Sequence, residues 1–127
     1  MVRDPYGIKE ENAMADIKDF YGRIQYKVEG DCIKDFFGKI LYNIKSDRLC
    51  DFYGKTLYWF RGNKICNFPG QILYTVEDDC VKNFYGQIVF WLRGDDICEF
   101  SGSILYRISG YLGSEELMAV LAVLLEE

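Results

Sequence analysis

Apolar and polar residues alternate along most of this chain in a pattern that recurs every 16 residues. A Phe-x-Gly triplet occurs six times without insertion or deletion, beginning at Phe20, Phe36, Phe52, Phe68, Phe84 and Phe100. Each triplet is followed by a block of alternating β-branched and aromatic residues, such as Ile-Leu-Tyr-Asn-Ile at 40–44. Alternation with period two predicts a strand. The constant period therefore predicts a chain built from copies of one structural unit.

Each unit is predicted to be a two-stranded β-hairpin. Five blocks are followed by dipeptides that tolerate the positive φ of a two-residue turn: Gly30-Asp31, Ser46-Asp47, Gly62-Asn63, Asp78-Asp79 and Gly94-Asp95. A short return strand comes next, and the triplet turns the chain into the following unit with its glycine in the left-handed conformation. The predicted strands are 17–20, 23–28, 32–36, 39–44, 48–52, 55–60, 64–68, 71–76, 80–84, 87–92, 96–100 and 103–108.

The fold class predicted is all-β: six 16-residue hairpins, about twelve strands, forming a closed ring or barrel. Closure removes the two exposed edges that an open meander would leave. A ring of this width is too wide to be filled by its own walls. Residues 117–125 are apolar on every side, which is typical of a buried helix, and Ser114 is the expected N-cap. We expect helix 114–127 to plug or cap the ring; a dimer contact through this helix is the alternative.

The 127 residues are expected to form a single domain. It would comprise a degenerate N-terminal arm at 1–16, containing the repeat-like Asp4-Pro5-Tyr6-Gly7, then hairpin repeats at 17–112 and the helix at 114–127.

Two-residue turns place Tyr42 opposite Asp51. The equivalent pairs are Tyr26–Asp35, Tyr58–Asn67 and Tyr74–Asn83. We expect each tyrosine hydroxyl to bond its polar partner.

Charge and cysteine content narrow the functional classes. The net charge is −5, from 15 basic and 20 acidic residues, which argues against nucleic acid and anionic membranes as partners. The longest apolar run has nine residues, so membrane insertion is not expected, and no apolar leader opens the chain. The five cysteines form no Cys-x-x-Cys pair and are interpreted as buried free thiols. We therefore expect a cytoplasmic protein without a metal or other cofactor.

The sequence contains few residues in patterns typical of a catalytic site. There is no histidine, which excludes a Ser-His-Asp triad and leaves a cysteine nucleophile without its usual base. The carboxylates Asp35, Asp51 and Glu99 are repeat-equivalent and face aromatic residues, which favours a structural role over acid–base work. The acidic turns lack the ligand density of a calcium loop. We therefore expect a protein that is not an enzyme.

The candidate ligand-binding residues are Trp59, Trp91, Tyr58 and Tyr74. The two tryptophans occupy the same repeat position in two units, which other units fill with Lys27, Asn43, Thr75 and Arg107. If this position faces solvent, the indoles offer stacking surfaces for a sugar or peptide. If it faces another element, they belong to the core, which is the interpretation we favour. Most of the aromatic and glycine excess is interpreted as hairpin architecture.

The 16-residue unit resembles the repeat of the small bacterial β-flower proteins. The resemblance covers about residues 17–112 and rests on Gly38, Tyr42, Ile44, Asp47, Leu49 and Phe52 and their equivalents. It implies two-stranded petals arranged around an axis, and it implies no site residues. The strand number and the apolar C-terminal segment are also similar to tubby-like and scramblase-like barrels, which have twelve strands around a hydrophobic helix. The chain differs from these tubby-like and scramblase-like barrels in its short, exact 16-residue repeat.

These observations predict a non-catalytic structural or protein-interaction scaffold. Self-association or a protein partner is the expected mode of action. The alternative is a module that binds a small ligand, carbohydrate or peptide through exposed aromatic side chains.

Overall fold

The computed structural model describes residues 13–126, which form twelve strands and one helix. The elements are β1 (Met14–Asp19), β2 (Ile24–Glu29), β3 (Cys32–Lys34), β4 (Ile40–Lys45), β5 (Arg48–Asp51), β6 (Thr56–Arg61), β7 (Lys64–Asn67), β8 (Ile72–Val76), β9 (Cys80–Asn83), β10 (Ile88–Arg93), β11 (Asp96–Glu99), β12 (Ile104–Tyr111) and α1 (Ser114–Leu125). The predicted strands and helix are all present. We number the units 1 to 6 by their triplets, from Phe20 to Phe100.

The strands form a closed barrel in which every strand is antiparallel to its neighbours. Strands β1 and β12 close it, with Ile17 opposite Ile108 and Ala15 opposite Gly110. The two backbones approach so closely here that a Cβ at Gly110 would collide with the Met14 carbonyl oxygen and lie 2.8 Å from the Ala15 Cα. Closure leaves no strand edge exposed. The all-β barrel predicted from the repeat is confirmed.

The closing strands differ most from the prediction. Strand β1 begins at Met14 and β12 continues to Tyr111, because each gains ladder partners from the other that a repeat read in isolation does not reveal. Residues 14–16, assigned to an N-terminal arm, therefore belong to the barrel wall. Residues 1–12 of that arm, including the repeat-like Asp4-Pro5-Tyr6-Gly7, lie outside the described residues.

Three layers of side chains line the interior, each with one residue from every unit. The short return strands supply the most deeply buried layer, at most 1% exposed: Ile17, Ile33, Leu49, Ile65, Val81 and Ile97. The long strands supply two more layers: Val28, Ile44, Phe60, Val76, Leu92 and Ile108, then Tyr26, Tyr42, Tyr58, Tyr74, Phe90 and Tyr106. The layers follow from the period of two, since alternate residues of a strand face the same side.

Helix α1 fills the barrel. Residues 118–124 are all buried, so every side of the helix is covered, and they share one core cluster with the inward strand residues. This packing confirms the predicted plug. The predicted N-cap is wrong by one residue: Gly113 occupies that position without a side-chain bond, and Ser114 is the first residue of the helix.

The two rims of the barrel are built from different turns. The hairpin rim carries the two-residue loops and surrounds the start of α1, where Ser114 and Glu115 lie beside Asn63 and Asp78. The triplet rim carries the six Phe-x-Gly turns and surrounds the end of α1, where the Tyr74 hydroxyl lies 3.4 Å from Oε2 of Glu126.

Glycine alone supplies positive φ in both kinds of turn. In the triplets, Gly38 has φ of 90°, as predicted for the left-handed conformation. In the hairpin loops Gly30 has φ of 62°, but no other residue type between 13 and 126 has a positive φ. The loops at Ser46-Asp47 and Asp78-Asp79 therefore turn without it, and the expectation of positive φ is wrong for these two.

Candidate functional site

The two tryptophans lie on the outer wall of the barrel, half-buried, and the interpretation that they are core residues is wrong. Trp59 donates its indole N–H to the Phe68 carbonyl oxygen at 2.9 Å, and the Arg48 guanidinium lies 4.7 Å from its ring centre. Trp91 donates equivalently to the Phe100 carbonyl oxygen at 3.1 Å. The rings are four strands apart, about 19 Å along the sheet, so they do not form one stacking surface.

The two candidate tyrosines lie on the other face of the sheet. Tyr58 and Tyr74 pack against the core at the triplet rim, and Tyr74 donates a hydrogen bond to Glu126. Partial burial raises the pKa of both phenols above the ordinary range, and the negative charge of Glu126 raises it further. The four residues predicted to act together are therefore separated. Tyr58 and Tyr74 lie close together on the inner face of the barrel wall, and the two tryptophans lie on its outer face.

Three of the four predicted strand pairs appear in the strand register, Tyr42–Asp51, Tyr58–Asn67 and Tyr74–Asn83, but at Asp51 the predicted hydrogen bond is not the one formed. Tyr42 lies opposite Asp51, as expected from the two-residue turn. The Asp51 carboxylate instead accepts hydrogen bonds from the backbone N–H groups of Tyr53 and Lys55, both at 2.9 Å. A short side chain reaches its own turn more easily than a hydroxyl at the end of a ring on the next strand.

In units 1 to 5 the side chain before the triplet therefore organises the triplet turn, a role that the sequence analysis missed. Asp19, Asp35 and Asn83 accept hydrogen bonds from the backbone two and four residues ahead, as Asp51 does. The signal was available: an Asp or Asn precedes the triplet in the first five units. Short polar side chains of this kind are the ones that cap turns. These five triplets are therefore held in a defined conformation at the rim.

The triplets present their aromatic rings to solvent. Ten aromatic side chains of the triplets are between 54% and 90% exposed, and we call this set the aromatic crown: Phe20, Tyr21, Phe36, Phe37, Phe52, Tyr53, Phe68, Phe84, Tyr85 and Phe100. In four units the two adjacent rings meet edge to face, with centroids 5.3 to 5.5 Å apart. The crown is thus an ordered aromatic surface at one end of the barrel.

The crown is large for an exposed apolar surface. Taking about 200 Å² for each aromatic residue, the ten side chains leave on the order of 1,500 Å² in contact with water. A monomeric protein rarely exposes a contiguous apolar patch of more than a few hundred Å² unless that patch binds something. The inward tyrosines fit the interpretation of the aromatic excess as hairpin architecture, whereas the triplet rings are left exposed by the fold.

Charge is distributed unevenly around the crown. Arg23, Lys39 and Lys55 follow the triplet glycines of units 1 to 3, whereas the uncharged Gln71, Gln87 and Ser103 follow those of units 4 to 6. The Arg23 guanidinium pairs with the Asp19 carboxylate at 3.1 Å and lies 5.3 Å from the ring centre of Tyr21. The turn hydrogen bonds from the backbone N–H groups of Arg23 and Tyr21, followed by this ion pair, hold the pKa of the Asp19 carboxyl below the ordinary range.

The hairpin rim has a different character. A cavity of about 470 Å³ lies there between the start of α1 and the three hairpin loops at Ser46, Gly62-Asn63 and Asp78. Phe60, Val76 and Met118 contribute apolar surface to it, and Glu77 and Glu115 contribute acidic groups. Its volume is within the range of small-ligand pockets. Among residues 13–126 its lining includes no basic side chain.

The cysteines and acidic residues do not converge on a metal. All five cysteines are free thiols, and Cys50, Cys66, Cys80 and Cys98 are buried, as predicted for small filling residues. Cys32 is only half-buried. Burial raises the pKa of the Cys80 thiol, which keeps it protonated and unreactive. Between residues 13 and 126 no group of three metal-binding side chains is positioned to hold an ion.

Comparison with models of protein families, with curated proteins and with solved structures gives no match. A closed twelve-stranded barrel does not by itself identify the β-flower or tubby-like families, so both resemblances stay predictions. In the described part of the chain no helix is long and apolar enough to cross a membrane. The function has to be argued from the crown itself.

Proposed function

We propose that the protein is a non-catalytic binding module that recognises its partner through the aromatic crown. The observation that carries the proposal is the exposure of ten aromatic side chains, 54% to 90%, at one rim of a closed barrel. Covering such a surface releases water from apolar area and lowers the free energy. Aromatic side chains also have few rotatable bonds, so fixing them against a partner costs little conformational entropy.

The architecture supports this role because it holds the crown rigidly. The buried helix and the three side-chain layers fix the strands, and the turn hydrogen bonds fix each triplet. A preorganised surface loses less entropy on binding than a mobile one. The carboxylates of Asp35 and Asp51 are engaged in these turns, so the proposal assigns them a structural role and includes no catalytic step.

The crown is a stronger candidate than the outer-wall tryptophans. The indole N–H groups of Trp59 and Trp91 already donate to backbone carbonyl oxygens. The Arg48 guanidinium also lies 4.7 Å from the Trp59 ring centre and covers part of that face. A cytoplasmic location belongs to the same proposal, because five free thiols suit a reducing compartment.

The test compares crown and wall variants against a glycan array and a random peptide library. The crown variant carries Tyr21→Ser, Phe37→Ser, Tyr53→Ser and Tyr85→Ser, and the matched control carries Trp59→Ala and Trp91→Ala. We expect ligands selected by the unmodified protein to lose at least about ten-fold in affinity for the crown variant, since such rings are typical hot spots. The wall variant should retain them. The opposite pattern would favour the outer wall and overturn the proposal.

A further inference from the structure

We propose that the partner of the crown is a second copy of this chain, bound crown to crown about a two-fold axis. In this dimer unit 1 of one copy faces unit 6 of the other, unit 2 faces unit 5, and unit 3 faces unit 4. The inference rests on the proposed function, because it identifies what covers the crown. Three features support it: the area of the crown, the order of charges around it and the order of side-chain sizes at its tips.

The area is sufficient for a stable dimer. A specific interface buries about 800 Å² on each partner. Each crown exposes on the order of 1,500 Å² of aromatic surface, so contact over roughly half of it meets that requirement. The surface is also dominated by Phe and Tyr, residues enriched in interface cores. Aromatic rings can pack edge to face between copies as they do within each unit, where the Phe52 and Tyr53 centroids are 5.3 Å apart.

The order of charges selects one alignment. The six units follow one another around the rim in chain order. When two such rims meet face to face about a two-fold axis, their units run in opposite directions. The numbers of any two facing units therefore add up to the same total, counted modulo six. The basic residues Arg23, Lys39 and Lys55 occupy units 1 to 3, and each lies four residues after a carboxylate of the same turn, Asp19, Asp35 or Asp51. Only a sum of seven puts all three opposite uncharged residues. They then face Ser103, Gln87 and Gln71, and every other alignment places at least one basic unit against another.

The sizes of the tip residues fit the same alignment. The central residues of the triplets are Tyr21, Phe37, Tyr53, Pro69, Tyr85 and Ser101. When facing units sum to seven, Tyr21 lies opposite Ser101 and Tyr53 lies opposite Pro69, so a large tip meets a smaller one. Only Phe37 and Tyr85 bring two rings together, and they do so at the two symmetry-related positions. Alignments in which facing units sum to nine or eleven fit the sizes equally well, so size excludes three of the six alignments and the order of the basic residues selects one of the remaining three.

The proposed contact is closed, so assembly ends at two chains. Both copies use the same surface in a two-fold interface, and no second crown remains to recruit a third chain. The acidic hairpin rims face away from each other at the two ends of the dimer, which avoids bringing Glu77 and Glu115 of one copy near those of the other.

The first experiment measures mass by sedimentation equilibrium over a range of protein concentrations. The unmodified chain is expected to pass from 14.8 kDa to twice that mass, with dissociation in the micromolar range or tighter. The double variant Phe37→Ser/Tyr85→Ser removes the facing rings and should weaken the dimer at least about 100-fold. The matched control is Tyr111→Ser, which removes an exposed aromatic ring outside the crown and should leave the dimer unchanged.

The second experiment tests the alignment. Gln87→Lys would place a lysine opposite Lys39 at both symmetry-related positions, and we expect about a ten-fold weaker dimer at low salt. Adding Lys39→Gln exchanges the two residues, so that each lysine again faces a glutamine and dimerisation should recover. Both changes lie at exposed positions, and circular dichroism can establish that the variants remain folded.

Each result bears on the proposal separately from the binding function. A chain that stays monomeric at millimolar concentration, while its crown binds ligands from the glycan or peptide panel, overturns the self-pairing alone. A dimer that survives Phe37→Ser/Tyr85→Ser overturns the crown as its interface. Failure of the Lys39→Gln/Gln87→Lys exchange to recover dimerisation overturns the alignment. A crown that neither pairs nor binds any panel member overturns both proposals.

Discussion

The interior layers and the aromatic crown are both columns of apolar residues that repeat at 16-residue intervals, yet the fold buries the first and leaves the second exposed. Leu49 and its equivalents on the return strands are at most 1% exposed and pack around the helix. Tyr53, four residues later in the same unit, is 90% exposed. Both columns recur with the same regularity, but only the interior column is explained by folding. The crown has to be explained by what it contacts.

This difference shows that one repeat can contain both residues that stabilise the fold and residues that the fold leaves exposed. Burial of the interior column stabilises the barrel, because apolar area removed from water contributes about 25 cal/mol per Å². Exposure of the crown contributes nothing of this kind to the single chain. Variants that separate stability from binding can therefore establish whether the two columns have the separate roles proposed for them.

The largest effect is expected from deleting residues 114–127. The interior layers would lose the helix whose residues 118–124 are buried among them, and the loss should exceed the total stability of a small domain, about 5–15 kcal/mol. Thermal unfolding followed by circular dichroism should show no cooperative transition. If the truncated chain were monomeric, soluble and equally stable, the interior column would not depend on the plug.

The next effect separates the two columns directly. Leu49→Ala removes a fully buried side chain and should lower the free energy of unfolding by about 2–5 kcal/mol. The matched change Tyr53→Ser, at an exposed tip, should alter it by less than about 0.5 kcal/mol. Urea denaturation measures both. Similar losses for the two variants would show that the crown contributes to folding after all.

A smaller effect is expected from changing Asp51, which lies in the chain between Leu49 of the interior column and Tyr53 of the crown. Asp51→Ala removes the acceptor of two backbone N–H groups in the triplet turn and should lower the free energy of unfolding by about 1–2 kcal/mol. Asp51→Asn is the matched control, because Asn83 makes the same bonds in unit 5, and it should cost much less. Equal losses for the two variants would mean that the side-chain acceptor does not hold the turn.

The smallest effect concerns the interior tyrosines at the crown end of the barrel. Burial raises the pKa of Tyr58 and Tyr74, so in the unfolded chain these phenols ionise at lower pH than in the folded one. Their contribution to stability is complete below about pH 10, the unfolded value, and is lost as pH rises through the folded values. Glu126→Gln removes the nearby negative charge and should shift both titrations to lower pH.

Absorbance at 295 nm follows this ionisation, and Tyr58→Phe and Tyr74→Phe identify the late-titrating groups. If Glu126→Gln left every tyrosine titration unchanged, the carboxylate would not contribute to the interior environment at that rim.

Much of the fold was predictable because the repeat carries it in local patterns. The alternation at 40–44 and the two-residue loop at Ser46-Asp47 specify a hairpin and its register, and Tyr42 lies opposite Asp51 as expected. The all-round apolar segment 117–125 specifies a buried helix. The candidate site was less predictable, because periodicity shows that Trp59 and Tyr58 face opposite ways without showing which side is interior.

The sequence by itself therefore determined the hairpin unit, the number of copies and the presence of an apolar helix, since turn chemistry and periodicity act over a few residues. Only the tertiary structure decided which column became the core, because that depends on where the helix lies once β1 meets β12. It also decided that Phe52 and Tyr53 remain outside, since a triplet turn at the rim has no further layer to pack against. Closure therefore decides where the crown lies and that it is exposed, and the binding role proposed for it concerns why its residues are aromatic.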